Sequence, residues 1–140
     1  MTATATELRG GARVAVANLI RFLETGEVPG GLFAPGVFAD LSLPRWRVQA
    51  VTIQDVVALR TEGHPRPGRV RVERVEPTAH GFTLELEERW TGDGGRWYCR
   101  EMIRADVAGE SIVEMSIYCT GDWDEDRQRE HAATVRLLRP

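Results

Sequence analysis

The chain has 140 residues and is mildly acidic, with 21 Asp and Glu against 18 basic residues, a formal net charge of -3 and 42% hydrophobic residues. That balance fits one soluble domain over residues 1–140 and argues against a nucleic-acid partner, which draws a basic surplus to one face. All 18 basic residues are Arg, so Schiff-base chemistry, a lysine base and a lysine-dependent phosphate loop are excluded, and proton transfer falls to Asp, Glu, His, Tyr or Cys.

A helix is predicted from Thr6, because Leu8, Ala12, Ala15, Val16, Leu19, Phe22 and Leu23 recur at helical spacing and Gly26 supplies a left-handed stop. Val28-Pro29-Gly30-Gly31 reads as a turn, and Gly31 to Ala34 as a short second helix broken by Pro35. Val37 to Leu43 reads as a strand ended by Pro44, with Trp46 to Ala50 as a further short extended piece. Thr52 and Asp55 form a capping-box-like pair, opening a helix that runs through Val56 and Leu59 to Gly63. His64-Pro65-Arg66-Pro67-Gly68 is a loop.

From Val70 the period changes to two. Phe82, Leu84, Leu86, Glu88 and Trp90 share one row, as do Trp97, Cys99, Glu101, Ile103 and Ala105, and then Val113, Met115, Ile117 and Cys119. Gly92-Asp93-Gly94-Gly95 and Ala108-Gly109 mark hairpins. This predicts an antiparallel sheet of about four long strands, followed by a helix from Asp124 as N-cap to roughly Val135. Helices followed by a meander give an α+β fold, a cone in which N-terminal helices cover a curved antiparallel sheet and enclose a pocket.

The compartment expected is cytoplasmic. Met1 to Gly10 has no apolar core of signal-peptide length, no run approaches a membrane span, and Cys99 and Cys119 are too few for a disulfide framework.

Two acids stand where the alternation demands apolar side chains. Glu101 lies between Cys99 and Ile103, and Glu88 between Leu86 and Trp90. With a turn centred on Asp93-Gly94, Glu88 pairs with Cys99 and Leu86 with Glu101, so the two carboxyls sit diagonally on one face. Burial and like charge then raise at least one pKa, as acid–base work near neutral pH requires. The other reading makes Glu101 a buried ion-pair partner of an Arg, or lets a bulge turn Glu88 outward. In the last hairpin, Glu114 opposite Arg104 puts Ile103 opposite Met115, Glu101 opposite Ile117 and Cys99 opposite Cys119. A register one residue off would bring Ser116 and Tyr118 to Glu101.

Asp40, after Phe38 on the first strand, is a third candidate acid. Its neighbours Val37, Ala39 and Leu41 occupy the opposite row. The histidines match no zinc spacing and no metal is expected; His131 reads as packed on the last helix. The pocket lining is expected from Phe38, Trp46, Trp90, Trp97, Cys99, Met115 and Ile117.

Three stretches carry a family resemblance: Arg21-Phe22-Leu23-Glu24-Thr25-Gly26, then Leu32-Phe33-Ala34-Pro35-Gly36-Val37-Phe38-Ala39-Asp40, and Ala108-Gly109-Glu110-Ser111-Ile112-Val113-Glu114-Met115. With the order of elements, they make the chain resemble the nuclear-transport-factor-2-like superfamily, which includes SnoaL-like polyketide cyclases and ketosteroid isomerases. The tail Tyr118-Cys119-Thr120-Gly121-Asp122-Trp123-Asp124 resembles SnoaL-like members. The resemblance places Asp40 where ketosteroid isomerases keep the aspartate that moves the proton, and Glu101 where they keep a protonated acid in the oxyanion hole. Leu19 stands where they keep a phenolic donor. Arg100 and Glu101 match superfamily epoxide hydrolases, but Ile117 stands at their second essential aspartate. Asp122 is the nearest match to the acid–base aspartate of SnoaL-like cyclases.

The function implied is a cofactor-free isomerase, cyclase or dehydratase acting on a small apolar polyketide-like or terpenoid-like carbonyl compound. Asp40 would remove a proton, Glu101 would hydrogen-bond the developing enolate, and Glu88 would relay a proton or set the Glu101 pKa. The alternative is a non-catalytic ligand-binding or dimerisation domain. In it, the outer row of Arg100, Met102, Arg104, Glu114, Ser116 and Tyr118 forms a two-fold homodimer interface.

Overall fold

The computed structural model describes residues 8–64 and 66–140. In chain order these form α1 (Gly10–Thr25), β1 (Phe33–Ser42), β2 (Arg47–Ala50), α2 (Ile53–Gly63), β3 (Gly68–Pro77), β4 (Gly81–Gly92), β5 (Gly95–Ala108), β6 (Ser111–Cys119) and α3 (Glu125–Thr134). Helix α1 starts at Gly10; the expected start at Thr6, and Pro65 of the expected loop, lie outside the described residues. Among the described residues no helix is long and apolar enough to cross a membrane.

The six strands make one curved, open sheet in the order β2-β1-β6-β5-β4-β3. It is mixed rather than antiparallel, because β1 runs parallel beside β6, with Ala39 opposite Met115 and Leu41 opposite Ile117. The expected short helix at Gly31 to Ala34 is replaced by the start of β1. Leu32 and Phe33 are buried, and the Leu32 carbonyl accepts from the Ile112 amide at 2.8 Å. Pro35 and Gly36 fall within the irregularity that separates the Phe33 and Phe38 pairings, with Gly36 at φ 77°. These residues therefore interrupt a strand instead of ending a helix.

The β4–β5 hairpin has the expected register, with Leu86 opposite Glu101 and Glu88 opposite Cys99. The last hairpin does not. Ile103 faces Ile117, Glu101 faces Cys119 and Arg104 faces Ser116. Its turn is centred half a residue later than expected, with Ala108 opposite Ser111, and a bulge between Asp106 and Val107 adds one more position. The net slip is two residues, which preserves the faces, so Met115 and Ile117 still point inward. Arg104 reaches Glu114 diagonally, at 3.1 Å.

Helix α1 buries Ala15, Val16, Leu19, Phe22 and Leu23 against the concave face of the sheet, where Phe82, Leu84, Leu86 and Ile103 are fully covered. Each such large side chain contributes about 1.5–3 kcal/mol over exposure. Gly11 lets the helix approach the β5–β6 turn, since a Cβ there would lie 1.4 Å from the Gly109 carbonyl oxygen. At the sheet's β3 edge, the Val70 amide donates to Glu24 of α1 at 2.9 Å. Helix α2 is capped by Thr52, whose hydroxyl accepts from the Asp55 amide at 3.0 Å. Helix α3 is capped by Asp124, as predicted, and docks through Glu125, which accepts from the Arg96 amide at 2.8 Å. Trp123 bridges to Tyr98 on the convex face and carries His131 against its ring at 5.2 Å.

Candidate active site

Among the described residues, Glu88 and Glu101 are the buried charged side chains, at 3% and 8% exposure. The alternation of β4 and β5 places both on the concave face, as their sequence position implied. A third group, not singled out by the sequence, meets them. From α2, Arg60 Nη1 donates to Glu88 Oε2 at 2.9 Å, while its Nη2 donates to Glu88 Oε1 and to the Leu23 carbonyl. Arg60 stands one turn after the buried Val56, on the inward side of its helix. The signal that exposed the two glutamates, a polar residue on an apolar face, therefore also marked this arginine.

The two acids have opposite protonation preferences. Burial opposes charge on Glu88, but hydrogen bonds from Glu101 and Arg60, with the Arg60 charge, hold its carboxyl below the ordinary value. Burial first, then the hydrogen bond and negative charge of Glu88, push Glu101 well above it. Glu88 is the anion bound by Arg60, and Glu101 is the neutral acid beside it. The Cys99 sulfur lies 3.7 Å from Glu101 and 3.9 Å from Glu88. Its hydrogen bond to Cys119, burial and both acids raise its pKa and keep it a thiol. Cys119, accepting from Cys99 and from the Gly121 amide at 3.4 Å, is shifted down.

Glu101 opens onto a cavity of about 420 Å³ between the helices and the concave face. Leu19 and Phe22 of α1, Ala39 and Leu41 of β1, and Ile103, Met115 and Ile117 of β5 and β6 make its walls apolar. Polar groups gather elsewhere on the same lining. His64 Nε2 lies 3.0 Å from Asp122 Oδ1, with Arg60 and Arg127 nearby on the wall. In the sequence His64 is one residue of a proline-rich loop, and only the fold brings it beside Asp122 in the segment after β6.

The remaining expected site residues are dispersed. Met115 and Ile117 line the cavity, as does Trp46, which is 68% exposed. Cys99 is fully buried and packed beside the acids rather than on the lining. Trp90 and Trp97 line a different cleft. Asp40 and Phe38 alternate onto the opposite face of β1, because Val37, Ala39 and Leu41 take the concave side. There Asp40 is gripped by Arg47, with Nε to Oδ1 at 3.0 Å and Nη2 to Oδ2 at 2.6 Å, and the bond from Arg47 lowers its pKa. The structure therefore brings Glu101, Glu88 and Asp122 to one region and leaves Asp40 out.

Two sets of donors converge closely enough to surround a cation: His64, Cys99 and Asp122, and Glu88, Cys99 and Glu101, each with atoms within 4.8 Å of one another. Both include the Cys99 sulfur, so the two sets overlap at one donor. Glu88 is already committed to Arg60.

No family model and no curated protein sequence matches the chain. Solved structures do share its architecture. An NTF2-like protein from Anabaena variabilis superposes with a TM-score of 0.65 at 15% identity, covering 79% of this chain and 87% of that one. A protein of ketosteroid isomerase-like fold from Catenulispora acidiphila, solved with trimethylamine, gives 0.62 at 11% identity, over 81% and 87%. A SnoaL-like protein from Jannaschia sp. CCS1 gives 0.57 at 15% identity, over 94% and 99%. The helices on a curved sheet, the order of elements and these superpositions agree: the chain has the fold of the NTF2-like superfamily.

Proposed function

We propose that the chain is a cofactor-free acid–base enzyme, an isomerase, cyclase or dehydratase of a small apolar carbonyl compound. The observation that carries this reading is a buried carboxyl, Glu101, on the wall of an apolar cavity beside Glu88, which Arg60 secures; burial and Glu88 shift the Glu101 pKa upward. A neutral carboxyl in an apolar site donates a hydrogen bond to a developing enolate oxygen without reorganising water around it. The base is the His64–Asp122 pair. Asp122 orients the imidazole, which accepts a proton from the carbon next to the carbonyl. Glu88 and Arg60 act through Glu101 as positioning residues. The fold supports the reading at the level of its family, which includes isomerases and cyclases. The convex face, with Met102 and Tyr118 exposed, is proposed as a homodimer contact, which sedimentation checks by mass.

The test is exchange of the α-protons of cyclic ketones and enones with deuterated water, followed by NMR. Wild-type protein accelerates exchange; Glu101→Gln and Asp122→Asn lose most of it. Glu101→Gln keeps a neutral, nearly isosteric side chain, so loss of exchange is not loss of fold. Binding of such compounds with no acceleration of exchange, or full exchange by Glu101→Gln, overturns the proposal in favour of a ligand-binding domain.

A further inference from the structure

Three donors of different kinds converge at the wall of the apolar cavity. His64 follows the last turn of α2, Cys99 stands in β5, and Asp122 lies in the segment after β6. Their ligand atoms all lie within 4.8 Å of one another. His64 and Asp122 line the cavity, and Cys99 is fully covered beside them. Each is placed by contacts outside the trio. The His64 amide donates to the Arg60 carbonyl at 2.7 Å, and its ring packs on Trp90 with centroids 4.3 Å apart. Cys99 is held in register opposite Glu88. Asp122 is bracketed by backbone bonds to β5: the Thr120 amide donates to the Arg100 carbonyl at 3.0 Å, and the Trp123 amide to the Tyr98 carbonyl at 2.7 Å. The sequence shows no zinc spacing because the donors come from three separate pieces of chain.

An imidazole nitrogen, a thiolate sulfur and a carboxylate oxygen make a borderline-soft set that suits Zn²⁺, whereas Mg²⁺ and Ca²⁺ take oxygen ligands. Donors around one zinc stand about 3.3–3.6 Å apart, so side-chain shifts of about 1 Å close the set. The charges also balance. Cys99 gives its thiol proton to solvent as the sulfur–metal bond forms, and the thiolate and Asp122 together neutralise the dication. Glu88 does not compete for the ion, because Arg60 holds it.

We propose that His64, Cys99 and Asp122 form a binding site for a zinc-like divalent cation, with the fourth tetrahedral position left open on the cavity wall. The ion is not a cofactor of the proposed reaction. It takes the lone pair that His64 uses as base, so occupancy is expected to stop proton exchange. Exchange that continues with the ion bound would remove His64 as the base and leave the site intact, which keeps the two readings separable.

The site is tested with metal-stripped, reduced protein titrated with cobalt(II) chloride and followed by absorption and calorimetry. One equivalent is expected to bind, with a thiolate-to-cobalt charge-transfer band in the near ultraviolet, and to be displaced by Zn²⁺ but not by Mg²⁺. Cys99→Ser is expected to lose that band and Cys119→Ser to keep it. His64→Gln and Asp122→Asn are each expected to weaken Co²⁺ about tenfold or more. The two side chains are 15% and 37% exposed, so these variants test the site without opening the core. Absence of one-to-one binding, a band that survives Cys99→Ser, or affinity unchanged in His64→Gln and Asp122→Asn overturns the proposal.

Discussion

Arg60 holds both carboxylate oxygens of Glu88 from across the cone, one guanidinium nitrogen to each. The pair is buried on both sides, with 11% and 4% of the side chains exposed. It decides which of the two acids is charged. With the negative charge fixed on Glu88, the adjacent Glu101 carries the proton.

Breaking that pair from one side is expected to be severe. Arg60→Met leaves a buried, unpaired Glu88 and should cost about 3–5 kcal/mol in urea unfolding. The double variant Arg60→Met/Glu88→Gln removes the charge as well, and should recover a large part of the loss. A double variant no more stable than the single one would show that the pair is not coupled.

Stability against pH should separate the two acids. Glu101 has a folded pKa above its unfolded one, so its contribution is complete at pH below the ordinary carboxylate range and is lost as pH rises through the folded pKa. Glu88 has a lowered folded pKa, so its contribution is complete above the ordinary range and is lost as pH falls through the folded value. Thermal unfolding across pH should therefore show Glu101→Gln losing the alkaline-side decline of the wild type while keeping the acid-side one.

Two glycines are set by neighbours rather than by turns alone. Gly11→Ala forces a Cβ to 1.4 Å from a backbone oxygen, and Gly95→Ala brings one to 1.8 Å from Glu125 Oε2 at φ 116°. The first should lower stability by about 1–3 kcal/mol or more, since backbone must move. Gly30→Ala meets nothing within 4 Å and should leave the melting temperature near wild type.

Asp40 and Asp122 give a direct contrast. In the exchange assay Asp40→Asn should retain wild-type rates, because the Asp40–Arg47 pair lies on the far face of β1. Asp122→Asn should fall by about 10²–10⁴-fold if its histidine partner is the base. Equal rates for both variants would remove the His64–Asp122 pair from the mechanism.

The β4–β5 hairpin and its diagonal acids were legible in the sequence because strict alternation on both sides of a Gly-Asp-Gly-Gly turn leaves one register that buries the apolar row. The partner of β1 was not. Its pairing with β6 joins residues more than seventy positions apart, and Pro35-Gly36 breaks the alternation that would announce a ten-residue strand. The bulge at Asp106 and Val107 is equally silent in sequence, since neither residue demands it. At the site, Glu101 and Glu88 betrayed themselves by position, and Asp122 was singled out by the family resemblance alone, whereas His64 is an ordinary loop residue until tertiary structure brings it to 3.0 Å from Asp122. Asp40 drew its role only from the family resemblance, and its own strand alternation pointed away from the cavity.

The bond from the Val70 amide to Glu24 has a consequence beyond anchoring a helix. Strand β3 ends the sheet, and an end strand offers unpaired amides to any extended chain that meets it. One of those donors is already taken by a side chain of α1, and the alternating Arg and Glu of β3 keep the rest of the rim hydrated. A protein built around an open cone thus caps its own growth, and Glu24→Ala should reveal the cost as concentration-dependent association of otherwise folded molecules.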